Sequence, residues 1–245
     1  MPVRAVLIDL DNTLLLEDAG TVDALGRASV PAGPGAEALA AKAAEVAGRL
    51  FRAADVFAYA DRMGIWWGEA LWGDFSGDDP GLRALRAFVP GFRQAVWTTA
   101  LAAVGLDAGR AAEFSDAFAR ARRSNWAVDP AAIGTLDALA RRYRLALVTN
   151  GAPAVQREKL EATGIGARFD VVVVSGELGI GKPDPRIFTA ALEALGVPAH
   201  DAVMVGDSVE RDIAGARAAR VRTVWLDRDG AGARASAGVR ITSLG

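Results

Sequence analysis

Asp9 and Asp11 stand one residue apart where an apolar run ends, in Ala5-Val6-Leu7-Ile8-Asp9-Leu10-Asp11-Asn12-Thr13. A charged, unpaired carboxylate in apolar surroundings is costly or takes up a proton. Taken alone, the pair fits a turn after a strand, where Asp and Asn are common. Other polar groups favour chemistry: Thr149-Asn150-Gly151, Lys182, and Gly206-Asp207-Ser208 with Asp212 shortly after. Together these supply several carboxylates, an ammonium, a hydroxyl and main-chain N–H groups at turns. Two carboxylates about 4 Å apart repel by roughly 4 kcal/mol at an effective dielectric near 20, so a cation belongs among them. Mg²⁺ suits such a set, since it takes a few carboxylates together with water and a substrate phosphate. Lys182, Thr149 and the turn N–H groups suit the far side of a phosphoryl group. Two acids separated by one residue in extended chain face the same way, so one can attack phosphorus while its neighbour handles protons.

Groups so far apart in sequence meet only if a sheet delivers them. Residues 3–10, 145–149, 171–175, 202–206 and 222–226 are near-continuous Val, Leu and Ile runs, as expected of strands buried on both faces of a parallel sheet. Helical patterns at 153–163, 184–195 and 209–219 alternate with the later strands, which gives βαβ units and a doubly wound α/β fold. Asp184 is placed to cap one helix, with Pro185 at its first position and Gly196 past its end. Ligands bind at the carboxyl ends of strands in such sheets, and every polar group above falls at such an end or in the turn after it.

Residues 17–128 show no strand pattern. Apolar residues recur there at helical spacing: Leu39, Ala43, Val46, Leu50 and Phe57; Phe92, Val96, Ala100 and Val104; Phe114, Phe118 and Ala121. An all-helical insert after the first strand is expected, leaving residues 1–16 and 129–245 as the α/β core. Five of the six Trp lie in the insert. Its segment at residues 66–79, WWGEALWGDFSGDD, packs acids, glycines and Trp together as a cap loop facing a ligand would, with Trp66 and Trp72 as candidate specificity residues, although aromatic groups more often form core. Residues 230–238 read as a loop before a short last strand at 239–242.

Composition excludes several functions. The 245-residue chain has a formal net charge of -2 and no basic patch interleaved with aromatics, so nucleic acid is not an expected partner. It has no Cys and one His, which rules out thiolate nucleophiles, disulfides and Cys- or His-rich zinc sites. No leader or membrane-spanning run is evident, so a cytoplasmic location is expected. His200 precedes a strand, about 20 Å of extended chain from the end where the site should lie, and reads as a surface residue. Only Lys42, Lys159 and Lys182 interrupt a strong preference for Arg, which suggests positions where a compact ammonium is wanted.

The four motifs, Asp9-Leu10-Asp11-Asn12-Thr13, Thr149-Asn150-Gly151, Lys182-Pro183-Asp184-Pro185 and Gly206-Asp207-Ser208 through Asp212, resemble those of the haloacid dehalogenase superfamily of hydrolases in order and spacing. The stretch from Asp207 to Gly215 looks like the cap-bearing phosphatase branch that includes N-acylneuraminate 9-phosphatase and nucleotide phosphatases. The resemblance implies that the insert is a mobile cap and that Asp9 is the nucleophile, forming an aspartyl phosphate. Asp11 would be general acid, then base. Mg²⁺ would be held by Asp9, the main-chain carbonyl of Asp11 and Asp207, with Asp212 acting through water or orienting Lys182. Leu10, Thr149, Asn150, Gly151 and Lys182 would bind the phosphoryl group of a small phosphate ester.

Other functions stay in view. A 2-haloacid dehalogenase of the same family uses a similar Asp without metal but lacks the second acid, so Asp11 weighs against it. A phosphonate-cleaving relative needs a cap Lys in a motif that Lys42 does not match. A phosphomutase shares the core motifs. A phospho-accepting signalling module gathers similar groups, but it is about half this length and has no helical insert. The sequence fixes neither oligomeric state nor substrate.

Overall fold

A computed structural model describes residues 2–228, 230 and 239–245. Most of the predicted loop at 230–238 lies outside the described residues. The chain forms two compact units, one comprising the residues up to Leu16 and from Val128 onward, the other Glu17–Ala127.

The first unit is built on a six-stranded parallel sheet of β1 (Ala5–Ile8), β2 (Arg144–Thr149), β3 (Val171–Val174), β4 (Ala202–Gly206), β5 (Arg222–Leu226) and β6 (Val239–Ile241), in the order β3-β2-β1-β4-β5-β6. Strand geometry sends alternate side chains to opposite faces. Ala5 and Leu7 accordingly join Ala146, Val148, Ile187 and Phe188 in one core layer. Val6 and Ile8 join Leu145, Leu147, Leu136 and Leu160 in the other. β1 is central and fully buried, so its C-terminal end meets groups from the strands on either side.

The second unit is helical among its described residues: α1 (Glu17–Ser29), α2 (Ala36–Arg52), α3 (Phe57–Met63), α4 (Trp67–Ala70), α5 (Pro80–Ala103) and α6 (Ala111–Ser124), with short 3₁₀ turns. Asp79 starts α5 by accepting the Gly81 and Leu82 N–H groups at 2.8 and 3.2 Å, ahead of Pro80 in the first turn. The expected core positions Leu39, Ala43, Val46, Phe92, Val96, Ala100, Phe114, Phe118 and Ala121 are buried. Three expected positions, Leu50, Phe57 and Val104, are only half-buried. In α2 it is Phe51 that fills the core, the helix ends at Arg52 so that Phe57 belongs to a new helix, and Val104 caps the end of α5. Trp72 is 1 % exposed, edge-on to Trp126 and under the guanidinium groups of Arg122 and Arg123. It is core, with no surface to offer a ligand; Trp66 remains half-buried against Trp67.

Returning to the first unit, α7 (Ala132–Ala140) and α8 (Pro153–Thr163) contribute Leu136 and Leu160 to one sheet face. After the short α9 (Ser175–Leu178), α10 (Pro185–Leu195) contributes Ile187 and Phe188 to the other. Asp184 and Gly196 bound α10 as expected, the former accepting the Arg186 N–H at 2.9 Å. The helix predicted at 209–219 instead opens as a π-helical turn, Val209–Ala214, and becomes α11 at Gly215–Ala218. Within it the Ile213 N–H reaches back five residues to the Ser208 carbonyl at 3.1 Å. No helix among the described residues is long and apolar enough to cross a membrane.

Candidate active site

Asp9 lies one residue past β1, where its N–H still bonds the Val205 carbonyl at 3.0 Å. Its side chain is 5 % exposed. Oδ1 accepts a bond from Lys182 Nζ, and Oδ2 lies 3.3 Å from the Thr13 hydroxyl. That hydroxyl is also 3.3 Å from Asp207 Oδ1, and since it carries one proton it donates to one carboxylate at a time. The loop from Asp9 to Thr13 turns sharply because the Leu10 carbonyl accepts the N–H groups of Thr13, Leu14 and Leu15, while Asn12 takes a left-handed φ of 59°, which Asn tolerates.

Lys182 is held at both ends. Its main chain is clasped by the Asn150 side chain, Oδ1 accepting the Lys182 N–H at 2.8 Å and Nδ2 donating to the Lys182 carbonyl at 2.9 Å. Its buried ammonium bonds Asp9 and, at 2.6 Å, Asp212 Oδ1. The other Asp212 oxygen accepts the Ser208 N–H at 3.0 Å. Close approaches make this possible. A Cβ on Gly206 would strike the Asp212 carboxylate, and one on Gly215 would come within 2.8 Å of the Pro183 main chain.

Asp9, Asp207 and Asp212 place carboxylate oxygens within 4.8 Å of one another, with Lys182 as their cationic neighbour. Burial pushes the Asp9 carboxyl well above the usual range, Asp212 and Asp207 push it further, and Lys182 opposes them. Burial, then repulsion from Asp212, raises Asp207 to about 6 against the pull of Lys182. Burial alone would lower the Lys182 ammonium, but Asp212 and Asp9 outweigh it and hold it above the ordinary lysine value. One ammonium does not balance three carboxylates. The cluster fits a divalent cation, whose charge would relieve the repulsion that raises these acids. Asp9 and Asp207 are the side chains with oxygens to offer; Asp212 is engaged with Lys182 and the Ser208 N–H.

Asp11 has a different set of partners. Its Oδ1 bonds Lys159 Nζ at 2.8 Å and its Oδ2 bonds Gln156 Nε2 at 2.9 Å, both from α8. β1 ends at Ile8, so the strand alternation behind the expectation that Asp9 and Asp11 face the same way stops before either residue. Among the predicted phosphate-binding residues, Leu10 is wholly buried, so only its main chain is available, and Thr149 is wholly buried with its hydroxyl 3.3 Å from the Asn150 carbonyl. The Gly151 N–H donates to Ser175 Oγ at 2.9 Å. His200 is exposed before β4, at 3.7 Å from Asp201, away from this cluster's end of the sheet.

Sequence reasoning gave no role to Thr13, which sat inside the first motif, or to Gln156. It marked Lys159 only by its rarity as a Lys among many Arg, and assigned it no partner.

A family model described as haloacid dehalogenase-like hydrolase matches residues 3–220. The chain belongs to that family. It is 42 % identical over 229 residues to the phosphoserine phosphatase of Thermus thermophilus, covering 92 % of this chain and 89 % of that protein. Human N-acylneuraminate-9-phosphatase is 46 % identical over 96 residues, 39 % of each chain. The crystal structure of the putative hydrolase YfnB from Bacillus subtilis, bound to magnesium, superposes with a TM-score of 0.67 at 21 % identity, over 100 % of this chain and 96 % of that one.

Proposed function

We propose that this hydrolase is a Mg²⁺-dependent phosphatase that cleaves a small phosphorylated metabolite through an aspartyl phosphate on Asp9. The observation that carries the reading is the buried Asp9 carboxylate, fixed by Lys182 and Thr13 beside Asp207, with a second acid, Asp11, held separately nearby. The phosphatase names of the relatives support the reaction class, and phosphoserine is the first substrate to assay.

Asp9 attacks phosphorus through a carboxylate oxygen. Its bond to phosphorus forms as the ester P–O bond breaks, and Asp11 gives its proton to the departing oxygen. Asp11 then takes a proton from the water that attacks the aspartyl phosphate, which releases phosphate and restores Asp9. Lys182 stabilises charge on the phosphoryl oxygens and holds Asp9 in place. Asp212 and Asn150 position Lys182. A divalent ion bound by Asp9 and Asp207, with the main-chain carbonyl of Asp11, would add charge neutralisation at the phosphoryl group.

The test is hydrolysis of p-nitrophenyl phosphate and phosphoserine with Mg²⁺, with chelator, and by Asp9→Asn. Turnover that needs both metal and Asp9 supports the reading. Metal-independent halide release from a 2-haloacid, without phosphatase activity, would replace it by dehalogenation; Asp11 weighs against that outcome.

A further inference from the structure

Lys159 is wholly buried on α8, and Gln156, one turn earlier on the same helix face, is also wholly buried. Burying an ammonium is costly without an anion in contact. The carboxyl group in contact here is that of Asp11, 148 residues away in sequence. The two donors take different oxygens of one carboxylate, at 2.8 and 2.9 Å, which fixes both its position and the rotation of its plane. Gln156 Nε2 also donates to the Asn150 carbonyl at 2.6 Å. A Cβ at Gly151 would collide with the Gln156 side chain, so the glycine leaves the space this bridge occupies. Asn150 in turn clasps the Lys182 main chain. One run of hydrogen bonds thus ties the proton-transfer acid to the segment carrying the phosphate-facing ammonium. The Asp11 side chain keeps 24 % exposure, so it can still meet a substrate oxygen.

We propose that Lys159 and Gln156 are positioning residues that aim Asp11 at the leaving-group oxygen. The proposal rests on the reading of Asp11 as the proton donor. Aiming matters most when the leaving group needs its proton: an alkoxide does, whereas p-nitrophenolate departs without one.

The experiment measures kcat/KM, which reports the steps through phosphoryl transfer to Asp9, for phosphoserine or another alkyl phosphate and for p-nitrophenyl phosphate. The variants are Lys159→Met, Gln156→Leu, Lys159→Arg, Asp11→Asn and the double variant Asp11→Asn/Lys159→Met, each checked for folding by circular dichroism. Lys159→Met is expected to lose about 10- to 100-fold on the alkyl ester and less than about 3-fold on p-nitrophenyl phosphate, part of the roughly 10²–10⁴-fold that general acid catalysis contributes. Gln156→Leu should show the same skew, smaller, and keeps the test intact if Lys159→Met fails to fold. Lys159→Arg should recover part of the loss, and the double variant should be no slower than Asp11→Asn alone. Equal losses on both esters in Lys159→Met and Gln156→Leu, with Asp11→Asn still skewed, would overturn the positioning role alone. An Asp11→Asn variant without skew would overturn the reading of Asp11 and, with it, this inference.

Discussion

At Asp207 catalysis and stability pull in opposite directions. Its carboxyl titrates at about 6 in the metal-free protein because burial and Asp212 resist its ionisation. A group whose folded pKa is raised contributes stability below its unfolded value, and that contribution is lost as pH rises through the folded value. Between the ordinary 3.8 and about 6 the metal-free protein should therefore lose stability from this residue, with Asp9 adding in the same direction. Asp207→Asn removes the charge while keeping the shape. In chelator at pH 7.5 it should melt about 2–4 °C above the parent, the shift that roughly 1 kcal/mol gives a chain of this size, and it should gain little from Mg²⁺ and hydrolyse no phosphate ester. A parent whose metal-free melting point is flat from pH 4.5 to 7.5 would contradict the repulsion argument. Lys182→Met is the complementary case. It leaves Asp9 and Asp212 buried and uncompensated, and should cost about 3–5 kcal/mol in urea unfolding.

The elements differ in how plainly the sequence announces them. β1, β2, β4 and β5 were readable because strands covered on both faces need unbroken apolar runs, and α10 because Asp184, Pro185 and Gly196 mark its ends. The π-helical turn at Val209–Ala214 was not, since an ordinary helix and one widened by a residue share the same apolar pattern over six positions. That turn carries Asp212, the partner of Lys182, as π turns often sit at functional sites. Likewise, Asp9, Asp207, Asp212 and Lys182, which the structure brings together, stand in the motifs that the sequence displays, whereas the Asp11–Lys159 pair joins segments with no shared local pattern. The second close approach in this region is open to test. Gly215→Ala would press a methyl against the Pro183 main chain and the Phe188 ring, each 2.8 Å away. Overpacking of that kind costs about 1–3 kcal/mol. Because Pro183 follows Lys182, kcat should fall by more than the unfolded fraction accounts for. Unchanged kcat with lowered stability would show that α11 supports the core without setting the lysine.

Across the whole molecule, each unit carries its own core, and the helical one is organised around a buried charge. Arg122 is 2 % exposed and pairs with Glu17, joining α6 to α1, while its guanidinium lies 4.8 Å from the Trp126 ring centre and 5.6 Å from that of Trp72. An Arg held between two indoles is stabilised by their faces as well as by its partner. Removing it takes the ion-pair partner from the buried Glu17, and breaking a buried pair from one side costs about 3–5 kcal/mol. If Glu17–Ala127 is a cooperative unit in its own right, Arg122→Ala should accelerate amide exchange throughout that span and leave β1, β2 and β4 protected as in the parent. Exchange rising equally in the sheet would mean that the two units unfold together. The same variant separates stability from chemistry: the Asp9, Lys182 and Asp207 groups come wholly from the α/β unit, so Mg²⁺ binding, followed by calorimetry at a temperature where the sheet stays protected, should keep its parental affinity.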